Sequence, residues 1–316
     1  MKFLNKKTDI DFMGQRKIAF VFSIILIVIS IGSLVTRGLN FGLDFTGGTL
    51  IEVSYPSAPE ISDVRAHLSD AGMTDAVVQT FGKATEIVVR IQPRDDQEAS
   101  NAEISTQVLA ALQDGVEGEI MMRRVEFVGP QVGEELTEQG ILAVVYALIG
   151  IFLYVMMRFQ WRFSVGAVTA LVHDIMITMG IISVVQIEFD LTVVAALLAV
   201  IGYSLNDTIV LFDRIRENFP KLRKANSLEV VNVSVNQTLS RTLMTSVTTL
   251  LVLMALFIFG GEIIHAFAFT LIVGVLIGTY SSIYVASTTL LELGVSKFDL
   301  LAVEKEGAGA VVDQNP

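Results

Sequence analysis

The stretch "AVIGYSLNDTIVLFDRIREN" at residues 199–218 places a carboxylate inside an apolar run that reads as part of a membrane span. It begins with apolar residues, is interrupted by Asn206 and Asp207, resumes as an apolar run and ends at Asp213 and Arg214. A charged side chain is costly in the hydrocarbon region of a membrane, so a residue of this kind is a candidate for a functional role. The stretch therefore predicts a membrane helix and singles out Asp207.

The rest of the chain has the composition of a membrane protein. Of the 316 residues, 52% are hydrophobic and 17% are charged, and the mean hydropathy is +0.62. A helix crosses a bilayer in about 20 apolar residues, and the stretches of suitable length are 18–36, 139–157, 163–185, 190–212, 242–260 and 264–290. The sequence therefore predicts a polytopic α-helical membrane protein with six transmembrane helices.

Several classes of function are disfavoured by what the sequence lacks. It has no cysteine, so no disulfide, thiol nucleophile or zinc–thiolate site is possible. It also has no P-loop, nucleophile elbow or metal-ligand spacing. We therefore expect neither an enzyme nor a cofactor-binding protein, and ATP bound by this chain is not the expected energy source.

The distribution of lysine and arginine in the short loops predicts the orientation of the chain. Basic residues occur before span one, between spans two and three, between spans four and five, and after span six, whereas loops 186–190 and 260–263 carry none. Both termini, residues 1–17 and 293–316, are therefore predicted to be cytoplasmic. The long loop 37–138 is then a periplasmic domain.

This loop is acidic and has a fold pattern of its own. It carries eighteen acidic and seven basic residues, so its net charge of −11 equals that of the whole chain, which argues against binding nucleic acid. Apolar periodicity predicts strands at 47–55, 75–81, 85–92 and 119–129 and helices at 59–72 and 101–115. The order βαββαβ is that of a small α+β ferredoxin-like domain.

Beyond the first transmembrane helix at 18–36, the segment 139–292 is predicted to form a five-helix bundle. Residues 213–241 connect the fourth and fifth spans of the chain and mix apolar and polar positions. This pattern favours an amphipathic segment at the cytoplasmic surface.

Polar groups in three spans require an explanation. His173 and Asp174 lie near the middle of span three, and Arg241 lies at the cytoplasmic edge of span five. Asp207 precedes the end of span four by five residues, which is roughly 8 Å at 1.5 Å per residue. Because the long side chain of Arg241 enters from the same side, an ion pair between Asp207 and Arg241 is geometrically plausible.

Each of these residues also has a structural interpretation. Asp207 and Arg241 could form a static pair that holds helices together instead of a pair that carries protons. A buried histidine is more often a hydrogen-bonded core residue than a proton carrier, which leaves both roles open for His173. Asp213 and Arg214 lie at the membrane interface, where charges at a helix end are ordinary, so a structural role is favoured for them.

Four motifs together resemble the SecD/SecF family of protein-export membrane proteins, within the resistance–nodulation–division superfamily of proton-driven transporters. They are "FGLDFTGGT" at 41–49, "VEFVGPQVGEEL" at 125–136, "LVHD" at 171–174 and "IGYSLNDTIVLFDRIREN" at 201–218. The first motif suits either branch of the family, whereas the span-four motif and the small periplasmic domain favour the SecF branch. The resemblance covers essentially the whole chain.

The resemblance implies a function. It implies a heteromer with SecD in the bacterial inner membrane that associates with the SecYEG channel, with YajC and YidC as further partners besides preprotein and lipid. The proton-motive force, rather than a cofactor, then promotes late translocation. By motif it assigns proton movement to Asp207 and Arg241, and the further candidates for the proton pathway are Asn206, His173 and Asp174.

The other motif positions are expected to be structural, namely Asp44, Gly47, Gly48, Asp213 and Arg214. Two rival functions stay open. One is a subunit that only holds its partners together. The other is a proton-driven half-exporter of lipids or small molecules, although such exporters usually carry larger exterior domains and a second set of spans.

Overall fold

Six membrane-spanning helices and an α+β domain between the first two of them make up the protein. The structure is a computed structural model that describes residues 8–92, 101–114, 116 and 118–296. Within these residues six helices are long and apolar enough to cross a membrane, which confirms the predicted fold class. The first seven residues and the predicted tail from 297 onward lie outside the described residues.

The described residues form ten α-helices, a 3₁₀-helix (Met13–Gln15), a π-helix and six strands. The helices are α1 (Arg16–Thr36), α2 (Leu43–Thr46), α3 (Ile61–Asp70), α4 (Asn101–Gln113), α5 (Pro130–Arg158), α6 (Trp161–Val185), α7 (Leu191–Lys221), α8 (Ser227–Phe259), α9 (Glu262–Ser281) and α10 (Ser287–Glu292). The strands are β1 (Asn40–Phe41), β2 (Gly48–Ser54), β3 (Val77–Phe81), β4 (Lys83–Ile91), β5 (Met121–Val128) and β6 (Glu188–Phe189). A π-helix, Ser282–Ala286, joins α9 to α10.

Strands β2 to β5 and helices α3 and α4 form the extramembrane domain, residues 48–128. Its four antiparallel strands lie in the order β3-β4-β2-β5, so the βαββαβ pattern has ferredoxin-like topology. The inward-facing residues of the sheet, such as Ile51 and Val53, form one buried core with Val64 and Leu68 of α3 and Leu112 of α4. One small core of this kind suits a domain of about 80 residues.

Helices α6, α7 and α9 form the centre of the membrane bundle, where about half of each span is buried within the chain. Small residues let α9 approach α7, because a Cβ atom at Gly274 would overlap Val200 and one at Gly278 would lie 3.0 Å from Ser204 Cβ. Helices α1, α5 and α8 instead present large apolar side chains such as Phe259, which is 85% exposed. Those faces are free for lipid or another membrane protein.

Two helix boundaries differ from the sequence-based expectation. Helix α5 begins at Pro130, so residues 130–138, which we assigned to the periplasmic domain, form its first turns. Proline suits this position because its missing N–H would have no helical partner there. The predicted amphipathic segment 213–241 is divided between the end of α7 and the start of α8, because Asn226 forms a capping box with Glu229 and begins a new helix.

A buried phenol offers a test of the extramembrane domain. Tyr55 follows β2, is 5% exposed, and its hydroxyl has no hydrogen-bond partner in the described part of the chain. Burial raises the pKa of Tyr55 to about 12. It is also the only tyrosine in residues 37–138, so its titration can be followed without interference.

We expect residues 37–138, expressed alone, to fold and to lose stability in alkali because of Tyr55. An unfolded tyrosine titrates near pH 10. The stability gained by keeping Tyr55 protonated is complete below that pH and is lost as the pH rises through about 12. Tyr55→Phe should abolish this loss and change neutral-pH stability by less than about 1 kcal/mol, since no hydrogen bond disappears.

Denaturant unfolding at a series of pH values, combined with tyrosinate absorbance, measures both effects. A random coil at neutral pH, or the same alkaline loss in wild type and Tyr55→Phe, would contradict the expectation.

Candidate functional site

Asp207 lies on the buried face of α7. Helical geometry places residues three and four positions apart on one face, and Ser204, Asp207, Thr208 and Leu211 are all buried in this part of the bundle. Asp207 is only 4% exposed, and its buried Oδ2 atom has no hydrogen-bond partner among the described residues. It is therefore an acidic group without the compensation that burial normally requires.

Arg241 lies on α8, exposed at the surface of this chain. Its positive charge acts on Asp207, but the two side chains are too far apart for an ion pair in the described structure. The predicted Asp207–Arg241 pair is thus not formed in this arrangement of the helices. A static pair that holds α7 to α8 is consequently not what the structure contains.

A cavity of about 360 Å³ lies beside Arg241, at the end of the bundle opposite the extramembrane domain. Its charged lining consists of Arg158, Asp213, Arg214, Glu217 and Arg241. Arg214 donates to Glu217 over 3.1 Å, so part of this charge is paired. Ile209 and Val210 also line the cavity, and they follow Asp207 within one helical turn. A space of this size can hold several water molecules close to the Asp207 site.

Asp174 on α6 is buried as deeply as Asp207, but it is fully partnered. Its Oδ1 atom lies 3.0 Å from His173 Nδ1. Its Oδ2 atom accepts hydrogen bonds from the hydroxyls of Ser204 at 2.6 Å and Ser281 at 2.7 Å. Because these groups come from α6, α7 and α9, the network joins the three central helices.

His173 extends this network to α1. Its Nε2 atom lies 3.1 Å from Ser23 Oγ, and Ser23 Oγ lies 3.0 Å from the hydroxyl of Tyr280. That hydroxyl donates to the carbonyl oxygen of Ala19 at 2.7 Å. The His173 ring also stacks on Tyr280, with ring centroids 6.0 Å apart. The sequence singled out His173 and Asp174, but it did not predict their contacts with Ser23, Ser204 and Ser281.

The missed partners carry little signal in the sequence. Serine in a membrane helix commonly bonds to its own backbone, so Ser23, Ser204 and Ser281 look like ordinary helix residues. One structural clue is the π-helix that begins directly after Ser281, since π-helical turns are frequent at functional sites. That turn was not recognised from the residues.

Asn206 and the predicted structural residues have separate places. Asn206 is exposed on α7, about 100° around the helix from Asp207, so the structure does not bring it to the buried site. Asp213 and Arg214 are half-buried and line the cavity. Among the described residues, no group of three or more His, Asp and Glu side chains is placed to hold a metal ion.

The "FGLDFTGGT" motif lies at the opposite end of α7. The Asp44 carboxylate accepts a hydrogen bond of 3.0 Å from the backbone N–H of Leu191, the first residue of α7. Gly47 and Gly48 have φ angles of 67° and 117°, which residues with a side chain rarely adopt. A Cβ atom at Gly48 would in addition overlap the backbone of Ile91. These three residues therefore shape the entry to β2 and the start of α7.

Comparison with known proteins identifies the family to which the chain belongs. The family described as "Protein export membrane protein SecD/SecF, C-terminal" matches residues 107–296, and the "SecD/SecF GG Motif" matches residues 32–55. The protein translocase subunit SecF of Vibrio alginolyticus is 54% identical over 99% of each chain. Its counterpart in Pseudomonas aeruginosa is 52% identical over 97% of this chain and 98% of the relative.

A solved structure gives the same result. The crystal structure of SecDF from Thermus thermophilus is 36% identical and superposes with a TM-score of 0.82. The match covers 93% of this chain and 39% of that chain, so this protein corresponds to one part of SecDF.

A six-span bundle with a ferredoxin-like domain after its first helix and buried carboxylates on two central helices defines a polytopic membrane protein of the transport type. The chain belongs to the SecD/SecF family of protein-export membrane proteins.

We expect the two buried acids to differ in their contribution to stability. Asp174→Asn keeps an oxygen for the two serines but removes the carboxylate charge and turns an NH2 group towards His173 Nδ1 in place of an accepting oxygen. The weakened network should lower the melting temperature in detergent by roughly 4–8 °C. Asp207→Asn should change it by less than about 2 °C, because no hydrogen bond is lost. Thermal unfolding of both purified variants gives the comparison, and equal losses would contradict the assignment of Asp174 as the partnered acid.

Proposed function

We propose that this chain is the SecF-type subunit of the Sec protein translocase and that, with SecD, it uses the proton-motive force to promote late stages of preprotein translocation through SecYEG. The observation that carries the proposal is the buried Asp207 carboxylate, which lacks a partner among the described residues and lies near a cavity lined by Arg241. Family membership supports the translocation role, since both relatives above are named protein translocase subunits.

The chemistry of Asp207 suits proton transfer. A carboxyl group enclosed by apolar surroundings favours its neutral form, and it ionises when a cation or water reaches it. Asp207 is protonated when the bundle encloses it, and it releases the proton when Arg241 or cavity water approaches. One charge that crosses about 100 mV supplies roughly 2.3 kcal/mol, which changes a two-state equilibrium by about 50-fold. No cofactor is required.

This cycle requires the helices to have two arrangements. Arg241 is exposed and has a long flexible side chain, so a shift of α8 against α7 is the movement that would bring the pair together. The comparisons support more than one arrangement. The two SecDF structures are 36% and 37% identical to this chain, yet their TM-scores are 0.82 and 0.68, and the second is described as the super-membrane-facing form. Nearly equal identity with unequal superposition favours a difference in how the parts of the two SecDF structures are arranged.

The bundle supports pairing with SecD. Helices α1, α5 and α8 expose broad apolar faces, and this chain spans only 39% of the solved SecDF chain. We therefore expect a second set of spans to cover part of these faces, with inner-membrane lipid around the rest. The basic loops favour cytoplasmic termini and a periplasmic extramembrane domain. YajC and YidC stay predicted partners, and preprotein is the expected cargo.

His173 and Asp174 have a different role in this proposal. Their hydrogen bonds to Ser23, Ser204 and Ser281 favour holding α1, α6, α7 and α9 in register. Ser204 then precedes Asp207 by one helical turn, so the network sets the position of the proton carrier. Direct participation of His173 and Asp174 in proton transfer stays a prediction.

We expect Asp207→Asn to stop proton-driven export, because the amide imitates the protonated carboxyl group and cannot release a proton. Asp207→Glu should retain part of the activity, since the titrating group remains but is displaced by one methylene. Arg241→Ala should fail because the ionised carboxylate loses its cation. The measurement is preprotein export into inverted vesicles that contain SecD, with each variant at matched levels. We expect at least a tenfold loss for Asp207→Asn, or about 1.4 kcal/mol.

Asp213→Asn is the matched control, because Asp213 lies on the same helix but is half-buried at the cavity. It should export at more than about half the wild-type rate, as expected for an interfacial charge. Export at the wild-type rate by Asp207→Asn would rule out the proton carrier and favour a subunit that only holds its partners together.

A further inference from the structure

The extramembrane domain is tied to the start of α7 by a short ladder at the membrane surface. Strand β1, which follows α1, pairs in parallel with β6, which precedes α7, so that Asn40 lies opposite Glu188 and Phe41 opposite Phe189. The N–H of Gly42 continues the ladder by donating to the Phe189 carbonyl oxygen at 2.8 Å. The connection between α6 and α7 is thereby fixed to the segment that leads into the domain.

The first turn of α7 is capped by two carboxylates, one from the segment after β6 and one from the segment after β1. Asp190 accepts a hydrogen bond of 2.8 Å from the N–H of Val193 in the usual N-cap manner. Asp44 of α2 accepts one of 3.0 Å from the N–H of Leu191. One of the free N–H groups at this helix end is therefore satisfied by the segment that leads into the extramembrane domain.

Arg90 adds a contact from within the domain sheet. It lies on β4, and its guanidinium forms an ion pair with Glu188 of β6. A second nitrogen of the same group lies 3.5 Å from the carbonyl oxygen of Phe41 in β1. One side chain thus contacts both strands of the ladder. The Arg90 side chain is only 13% exposed and that of Glu188 is 35% exposed, so the guanidinium is largely shielded from solvent.

The charges around Glu188 make Arg90 the important partner. Burial raises the pKa of Glu188, repulsion from Asp190 and Asp44 raises it further, and Arg90 lowers it. Three carboxylates therefore lie near one another at the start of α7, and Arg90 forms an ion pair with one of them. Without Arg90, Glu188 would keep the repulsion from Asp44 and Asp190, and the domain would lose this ionic contact with β6.

We propose that Arg90 and Glu188 are positioning residues that join the extramembrane domain to the start of α7, so that domain and helix move as one body. The inference rests on the proposed function, because α7 also carries Asp207. Along one continuous helix Asp207 lies about 24 Å from Leu191 at 1.5 Å per residue. A shift of α7 caused by protonation at Asp207 is thereby transmitted to the domain on the other side of the membrane boundary.

The test is a charge exchange in the complex with SecD. Arg90→Glu and Glu188→Arg each place like charges together, and each should reduce proton-driven export by roughly fivefold or more. The double variant, Arg90→Glu with Glu188→Arg, restores opposite charges and should return export to at least about half of wild type. The matched control is Arg124→Glu with Glu126→Arg. Both partners of this ion pair lie on β5 and both side chains are exposed, so the pair does not connect the domain to another element.

A distance measurement separates this proposal from the proton mechanism. The chain has no cysteine, so Ser69→Cys on α3 and Val185→Cys at the end of α6 provide unique sites for spin labels in a complex with cysteine-free SecD. Both positions are exposed. The distance distribution between the labels should be narrow in wild type and in the double exchange, and broad in each single variant. This outcome does not depend on whether Asp207 carries a proton.

Unchanged distributions in both single variants would overturn the attachment, whatever happens to export. Broadened distributions with export at the wild-type rate would overturn the claim that export depends on it. Broadened distributions with reduced export, both restored by the double exchange while the Arg124–Glu126 exchange has no effect, are the expected result. Loss of export in the double exchange, with a restored narrow distribution, would contradict the proposal as well.

Discussion

The interior of a membrane offers no water to a carboxylate, so a buried acid must be compensated by the protein or be neutral. Asp174 meets this constraint with a histidine and two serines, and these hydrogen bonds fix α6, α7 and α9 against one another. Asp207, on the adjacent helix, has no such partner among the described residues. In the proposed mechanism its compensation is a proton in one state and Arg241 in the other. The same bundle thus contains one acid that is hydrogen-bonded to three helices and one that the proposed mechanism uses as the proton carrier.

Helix α7 connects all the features on which the account depends. Its first turn is capped by Asp44 and lies next to the Arg90–Glu188 pair. Its middle carries Ser204 in the hydrogen-bond network, and Asp207 follows one turn later. Its far end borders the cavity that contains Arg241. A change at Asp207 therefore has a continuous mechanical path to the extramembrane domain, and the Asp174 network ties α7 to α6 and α9 along that path.

The sequence was sufficient where a single residue or a regular period carries the information. Bilayer thickness fixes the length of a span, so hydropathy predicted the six spans. It did not predict that α5 begins at Pro130, because the first turns of this helix lie before the apolar stretch. A carboxylate inside an apolar run is rare enough to single out Asp207. Contacts between distant segments were not predictable in this way, because the Asp174–Ser281 and Arg90–Glu188 pairs depend on how whole elements pack. Asn206 was predicted to belong to the site because it precedes Asp207 in the sequence. In the structure the two residues face different sides of α7, and Asn206 is exposed.

The most direct measurement is infrared difference spectroscopy of the complex with SecD in lipid vesicles as the pH is changed. A protonated carboxyl group absorbs apart from ionised carboxylates and from the peptide backbone, so a change of protonation at one buried acid can be observed directly. The account predicts that part of the protonated-carboxyl absorption that grows as the pH falls is lost in Asp207→Asn and retained in Asp213→Asn. A band of unchanged intensity in Asp207→Asn would show that another group takes up the proton and would contradict the central claim.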